Sequence, residues 1–336
     1  MVADKKAELI SQSAISNQEL VKLIGSNYGL SVTNIEPLSC RQWNTTYQVE
    51  NNDAIFYLKQ YRPKYREENI RCSHTIIHFV RERGYCQAIQ YLPTQGGKLY
   101  FSGQRHFYEL SKKITGVQYP MYCPTCTHHL LPTIAMGLAR LHCISTQVER
   151  VMPPAWPYSV HLDECTQKML SHSELRWACL GPEERKGREI LCRAIVFLQE
   201  KSEQFNIPDL RRETGIAVHG DFTLKNLLFC EMQIVGVVDW ESANIFELPL
   251  YDILKSAASF FSSPLYDEEV VTAFLNAYTK VRNVTDYHTT LMFAIWVFLH
   301  LKWILKLLSA ITDEADRQRL CRSLEILSHE LARASG

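Results

Sequence analysis

The first third of the chain combines short apolar runs with frequent turn residues, a pattern that predicts a small antiparallel sheet. A capping box at residues 16–19 begins a short helix whose apolar face holds Leu20, Leu23 and Ile24. Residues 51–53, Asn-Asn-Asp, are typical of a tight hairpin turn. Strand-like runs cover residues 31–38, 45–49, 54–61, 88–92, 98–102 and 106–114, and a helical pattern covers 65–83.

After Gly116 the apolar positions follow a helical period instead. The pattern predicts helices at residues 127–143, 162–173, 182–205, 251–261, 268–281, 285–308 and 313–333. The fold class is therefore α+β, with two lobes. We predict a β-rich N-terminal lobe at residues 1–115, a hinge near 111–117, and a larger helical lobe at 116–336.

The longest apolar run, residues 291–308, has the length of a membrane span but contains His300, Lys302 and Lys306. A buried amphipathic helix fits these interior charges better. Its aromatic side chains are then expected in the helical core rather than on a ligand platform. They are Phe293, Trp296, Phe298 and Trp303.

Composition narrows the class of protein further. The 336 residues include 46% hydrophobic and 21% charged residues, with 36 basic residues balanced by 36 acidic ones. We expect a soluble globular protein without a nucleic-acid or membrane partner. Residues 1–10 have no apolar signal core, and the 11 cysteines follow no regular spacing, so a cytoplasmic location is expected. Cys123 and Cys126 lack a second pair at zinc-ribbon spacing and are interpreted as the start of a helix.

The most informative chemistry lies in two short polar segments, residues 219–226 and 237–241. The first has the spacing H-x-D-x-x-x-x-N and the second reads V-V-D-W-E, each beside a predicted strand. This spacing matches the catalytic loop of the protein-kinase-like fold. Any one of these polar residues alone is commonly a turn or cap residue, but the ordered set indicates phosphoryl transfer.

Each polar side chain has an expected role. Asp221 is the candidate base that orients a bound hydroxyl and takes its proton. Asn226 and Asp239 offer oxygen ligands for Mg²⁺. Lys225 is placed to offset charge on the γ-phosphate, and His219 is expected to brace the loop backbone.

The two segments resemble the aminoglycoside phosphotransferase superfamily, which includes homoserine kinase, choline kinase and methylthioribose kinase types. Trp240 and Glu241 stand where protein kinases have Phe and Gly, which favours this superfamily. Residues 138–142, L-A-R-L-H, are similar to a helix common in the family, and Asp252 resembles its buried Asp beneath the catalytic loop. Residues 54–116 are also similar to bacterial spore-coat kinase-like proteins. The resemblance implies an enzyme that uses ATP and Mg²⁺ to phosphorylate a small hydroxylated molecule.

The resemblance also implies a nucleotide site in the cleft between the lobes. Lys59 is similar to the strand lysine that pairs with the α- and β-phosphates. The helix Glu that braces this lysine is missing near residues 73–75, and Glu68 is the best substitute because its helical row continues with buried positions. The remaining candidates are Asn44 and Thr45 in the turn beside the phosphates, and Ser111, Lys112 and Ile114 at the hinge beside adenine.

Two alternatives stay open. The missing helix Glu and an atypical phosphate loop fit a catalytically weak binding or coat-assembly protein. A protein kinase would need D-F-G and A-P-E elements that the chain lacks. A mild excess of acidic residues between Glu241 and Asp286 suits a cationic amine or amino-sugar acceptor, although a solvated helical face gives the same count. The oligomeric state is not indicated.

Overall fold

A five-stranded antiparallel sheet forms the N-terminal lobe, with the strand order β1-β2-β3-β5-β4. Its strands are β1 Asn34–Cys40, β2 Asn44–Glu50, β3 Ile55–Tyr61, β4 Phe101–Gly103 and β5 His106–Lys112. The computed structural model describes residues 15–40, 44–62, 65–119, 124–146, 148, 180–181, 183–206, 215–261, 265–284, 289–311 and 313–335.

Two helices flank this sheet, α1 Asn17–Tyr28 and α2 Glu67–Glu82. The predicted capping box is present at Ser16 and Glu19. Leu20 and Ile24 of α1 pack with Phe56 and Leu58 of β3 into a core of their own. Because neighbouring residues of a strand point to opposite faces, this core leaves Lys59 on the other face of β3, towards the cleft.

The segment at residues 88–92 is not a strand, contrary to the prediction. It makes only isolated bridges, from Ala88 to Val237 and from Tyr91 to Ser111. Its backbone instead connects the lobes, since the Ile89 N–H donates to the Val237 carbonyl at 3.0 Å. The predicted strand at 98–102 is likewise reduced to the three residues of β4.

In the helical lobe, the two polar segments lie next to short strands. Its strands are β6 Ile216–Val218, β7 Leu227–Cys230, β8 Gln233–Val237 and β9 Asn244–Glu247. Its helices are α3 Pro124–Ser145, α4 Glu184–Gln204, α5 Pro249–Ala257, α6 Glu268–Tyr278, α7 Thr289–Ala310 and α8 Glu314–Ser335. The predicted helix at 162–173 lies outside the described residues.

Helix α7 is the predicted apolar helix, and it lies in the core of this lobe. Within the part of the chain that the structure describes, Thr290–Ser309 is the one helical stretch long and apolar enough to span a membrane, and 67% of that window is buried inside the fold. Trp296 is 4% exposed, as expected for a core position, whereas Trp303 is 43% exposed. The aromatic stripe is therefore only partly core.

Candidate active site

The two ends of the first polar segment meet in space. Asp221 follows β6, and Asn226 ends a 3-10 turn, Leu224–Asn226, that leads directly into β7. The Asn226 Nδ2 group donates to the Asp221 carboxylate Oδ2 and to the Asp221 backbone carbonyl, both at 2.8 Å. Since Nδ2 is used in this way, Oδ1 is the atom that could ligate a cation.

A buried carboxylate holds the loop from below. Asp252 of α5 is completely buried and accepts hydrogen bonds from the His219 N–H at 2.7 Å and the Gly220 N–H at 2.8 Å. His142, the last residue of the L-A-R-L-H segment on α3, lies 3.3 Å from the same carboxylate. This is the arrangement that the family resemblance implied for Asp252. Its two oxygens thus satisfy backbone donors that could not otherwise be buried.

Gly220 is the position where the loop requires glycine. Its φ is +76°, and a Cβ there would lie 2.0 Å from the Ser242 carbonyl oxygen. No side chain fits that space, so the first polar segment packs directly against the turn that follows Asp239.

His219 links the two segments through backbone contacts, as expected. Its Nε2 donates to the Val238 carbonyl at 3.0 Å, and its Nδ1 accepts from the Asp221 N–H at 3.1 Å. One nitrogen donates and the other accepts, so the ring is neutral. Burial lowers the pKa of His219, which keeps it in this form.

Two lysines surround the Asp221 carboxylate. The Lys225 ammonium lies 3.0 Å from Oδ2, and that of Lys255 lies 3.2 Å from Oδ1. Burial by itself would raise the pKa of Asp221, but Lys255 and Lys225 together hold it well below its usual range. Asp221 is therefore ionised and can accept a hydrogen bond from an alcohol.

Lys255 was not among the residues predicted from the sequence. Its ammonium also donates to the Gly220 carbonyl, so it contacts the loop at two points. The available signal was its spacing from Asp252. Residues three apart on a helix share a face, and Asp252 was already expected to face the loop.

Lys59 connects the two lobes. Its ammonium donates to Asp239 Oδ1 at 2.7 Å and also to Glu241 Oε2, while the Asn44 side-chain amide donates to Glu241 Oε1 at 2.5 Å. Burial opposes the charged form of Lys59, but Glu241 and Asp239 raise its pKa. The pKa of Glu241 is raised to about 7, mainly by burial; Lys59 lowers it, while the negative charges of Asp239 and Glu109 raise it further.

The expectation that Glu68 braces Lys59 is wrong. Glu68 is exposed in the first turn of α2, and no contact between it and Lys59 is present in the described part of the chain. Glu109 of β5 stands opposite Lys59 in the sheet register and is 1% exposed. His74 Nε2 and the Tyr61 hydroxyl each lie 2.8 Å from its Oε2.

His74 of α2 is only 6% exposed, because it packs against Glu109 of β5. The register of β3 with β5 is what brings Glu109 next to Lys59. That pairing depends on the whole sheet and cannot be read from local periodicity.

The other predicted nucleotide contacts lie in β2 or in and just after β5. Ser111 is buried and pairs with Tyr57, two residues from the Lys59–Glu109 pair. Thr45 is half-buried beside Asn44, and Lys112 is exposed at the end of β5. Ile114 is half-buried and packs towards Gly236. Their contacts with nucleotide stay predictions.

The donor set fits a divalent cation that is held only partly by protein. No group of three or more His, Cys, Asp or Glu side chains in the described ranges could hold a metal ion alone. Asp239 and Asn226 provide hard oxygen atoms, and the carboxylates of Asp239, Glu241 and Glu109 outnumber the single Lys59 ammonium. Mg²⁺ commonly takes one or two protein ligands and completes its shell with phosphate and water oxygens, so these residues suit it.

Comparison with known families agrees with this geometry. The model of the phosphotransferase enzyme family, APH, matches residues 34–288, which is most of the chain, and the protein therefore belongs to that family. None of the curated protein sequences matches the chain.

Several solved structures share the fold. Amicoumacin kinase, in complex with AMP-PNP, Ca²⁺ and Ami, has 15% identity and a TM-score of 0.72 over 98% of this chain and 96% of its own. A microcompartment-associated aminopropanol kinase has 16% identity and a TM-score of 0.71, covering 94% and 96%. Spectinomycin phosphotransferase, in complex with ADP and spectinomycin, has 15% identity and a TM-score of 0.63, with 94% of each chain covered. The α+β kinase-like fold and the phosphotransferase class predicted from the sequence are confirmed.

Proposed function

We propose that the protein transfers the γ-phosphate of ATP to a hydroxyl group of a small molecule in a reaction that requires Mg²⁺. One observation carries the proposal. The fold brings Asp221, Asn226 and Asp239 from two loops into one cleft, with Lys59 of the other lobe bonded to Asp239. The solved relatives that contain ADP, or AMP-PNP with Ca²⁺, support nucleotide and divalent-metal use.

Asp221 orients the acceptor hydroxyl through its ionised carboxylate. The acceptor oxygen forms a bond to the γ-phosphorus as the bond to the ADP oxygen breaks, and the hydroxyl proton passes to Asp221. A carboxylate with a low pKa is a weak base, which suits a loose transition state in which the proton leaves late. Lys225, 3.0 Å from Asp221, supplies positive charge on the side of the transferred phosphate.

Lys59 binds the α- and β-phosphates and exchanges Glu241 for phosphate oxygens when nucleotide enters. Asn226 Oδ1 and Asp239 would hold Mg²⁺, which neutralises charge on the phosphate oxygens. A cytoplasmic location belongs to the proposal, because ATP is available there and the described cysteines Cys72, Cys86, Cys143, Cys192, Cys230 and Cys321 are free thiols.

The test combines nucleotide binding with turnover. Mg·ATP should raise the melting temperature, and ADP release should increase with a hydroxylated acceptor. Asp221→Ala should reduce turnover by at least ~10²-fold yet keep the Mg·ATP thermal shift. Asp239→Ala should weaken that shift, whereas Asp53→Ala, at an exposed hairpin turn, should change neither quantity.

Wild-type turnover in Asp221→Ala would remove Asp221 from the catalytic role. A wild-type protein that shows no thermal shift with Mg·ATP would favour the alternative of a kinase-like binding or coat-assembly protein.

A further inference from the structure

Lys302 of α7 is a half-buried cation near the catalytic loop. Its ammonium donates to the Tyr251 hydroxyl at 3.1 Å, and it lies 5.2 Å from the centre of the Tyr251 ring and 5.4 Å from that of Phe298. No carboxylate forms a salt bridge with it in the part of the chain that the structure describes. Two aromatic rings and a hydroxyl therefore hold this ammonium in place without neutralising it.

Tyr251 connects Lys302 to the catalytic carboxylate. Tyr251 and Lys255 are one turn apart on α5, and the Lys255 ammonium lies 6.0 Å from the centre of the Tyr251 ring. Lys255 in turn contacts Asp221 at 3.2 Å. Both lysines thus lie next to the Tyr251 ring, and successive contacts link Asp221 to Lys255, Tyr251 and Lys302.

Four of the acidic residues counted in this part of the sequence have other partners. Glu241 binds Lys59 and Asn44 at the other lobe. Asp252 is buried beneath the loop, and Asp267 caps the start of α6. Glu247 is buried and its carboxylate accepts the Leu248 N–H. These four carboxylates therefore give little support for a cationic acceptor.

We propose that the acceptor carries an anionic group, a carboxylate or a phosphate, and that Lys302 binds this group together with the Tyr251 hydroxyl. The inference rests on the proposed function, because it assumes that the acceptor's hydroxyl group reaches Asp221. An ammonium held by aromatic rings but unpaired with a carboxylate gains most from an anion in a partly desolvated site. A cationic acceptor would instead be repelled by the Lys302 ammonium, whereas Lys255 is already paired with Asp221.

Four three-carbon probes separate the possibilities, because each offers hydroxyl groups and they differ in charge: glycerol, glycerate, glycerol phosphate and aminopropanediol. Their ADP release is measured with saturating Mg·ATP. We expect kcat/KM to be highest for one of the two anions, and the better anion identifies carboxylate or phosphate as the preferred group. A preference for aminopropanediol, or equal rates for all four probes, would overturn the inference.

Variants of Lys302 test the assignment to this residue. Lys302→Gln should raise KM for the better anion by about tenfold, the effect of losing one charge-assisted hydrogen bond, with kcat retained and glycerol unaffected. Lys302→Glu should shift the preference towards aminopropanediol. Lys280→Gln, at an exposed lysine after α6, should leave all four probes unchanged.

An equal loss for glycerol and the anions in Lys302→Gln would show a merely structural role and overturn the inference. Binding of glycerol phosphate and aminopropanediol is also compared by thermal shift without nucleotide. A failure of the proposed function can be told apart from a failure of this inference, because the wild-type protein would then show no thermal shift with Mg·ATP. Stronger binding of aminopropanediol in that nucleotide-free comparison would overturn the charge assignment alone.

Discussion

Lys59 and Glu109 are direct partners across the antiparallel strands β3 and β5, and their side chains share the face of the sheet that lines the cleft. Glu109 is held by His74 and Tyr61 through its Oε2 atom. Its Oε1 atom has no hydrogen-bond partner among the residues described. Lys59 bonds instead to Asp239 and Glu241. We expect Glu109 to receive the lysine if a metal ion binds Asp239.

This relationship predicts that Glu109→Gln weakens nucleotide use. Without the buried charge, Lys59 loses a partner that holds it towards the phosphates, so KM for Mg·ATP should rise about tenfold with a smaller change in kcat. Steady-state kinetics at fixed acceptor concentration measure both parameters. Glu68→Gln is the matched control, because Glu68 is exposed and should leave both parameters unchanged.

The opposite result, a loss in Glu68→Gln and none in Glu109→Gln, would restore the helix residue as the brace. A fall in melting temperature with unchanged KM would assign Glu109 to the fold alone.

A second prediction concerns Lys255, the lysine that contacts the Asp221 carboxylate. Lys255→Gln removes the ammonium that lies 3.2 Å from Asp221 and binds the Gly220 carbonyl. We expect kcat to fall by about 10 to 100-fold, because the carboxylate and the loop are no longer held in place. Lys225→Gln provides the comparison at a position that is 42% exposed. Lys225→Gln should lower the melting temperature less than Lys255→Gln does, since an exposed ion pair contributes little to stability.

Steady-state measurement of kcat for both variants tests whether Lys255 positions Asp221. If Lys255→Gln retains wild-type kcat, the contact with Asp221 has no part in positioning.

A third prediction addresses the support beneath the loop. Asp252→Ala leaves the His219 and Gly220 N–H groups and the His142 ring without their buried acceptor. The free energy of unfolding should fall by roughly 3 to 5 kcal/mol, because two buried N–H donors lose their acceptor at a cost of about 1 to 3 kcal/mol each. Urea denaturation measures this loss, and Asp53→Ala at the exposed hairpin should stay within about 0.5 kcal/mol of the wild type. A loss below about 1 kcal/mol would mean that water or another group replaces Asp252.

The sequence predicted those parts of the site that depend on local spacing. The fold places Asp221 beside Asn226 and sets Asp252 under the loop, because short turns and one helix start determine both arrangements. Glu109 could not be found in this way, since it reaches Lys59 only through the strand order β3-β5. The same limit explains residues 88–92, whose apolar pattern resembles a strand although its backbone serves as a bridge between lobes. Long-range register, rather than local propensity, decides such positions.

A fourth prediction concerns stability against acid. His300 of α7 donates from Nε2 to the Ser323 carbonyl at 3.2 Å and stacks on Trp296. Burial lowers the pKa of His300 from 6.5 to about 4. The unfolded chain therefore binds a proton between pH 6.5 and 4 that the folded chain does not bind. Stability is complete above pH 6.5 and falls as the pH is lowered towards 4.

The pKa difference corresponds to about 3 kcal/mol in full, of which about 2 kcal/mol falls between pH 7.5 and pH 5. His300→Gln should reduce the difference in unfolding free energy between pH 7.5 and pH 5, as measured by urea denaturation at each pH. His142 and His219 are buried with lowered pKa values, so part of the acid sensitivity should persist in the variant. His78→Gln is the control, because that side chain is 68% exposed and should leave the pH dependence unchanged. An identical pH dependence in His300→Gln and the wild type would mean that His300 can be protonated without opening the core around α7.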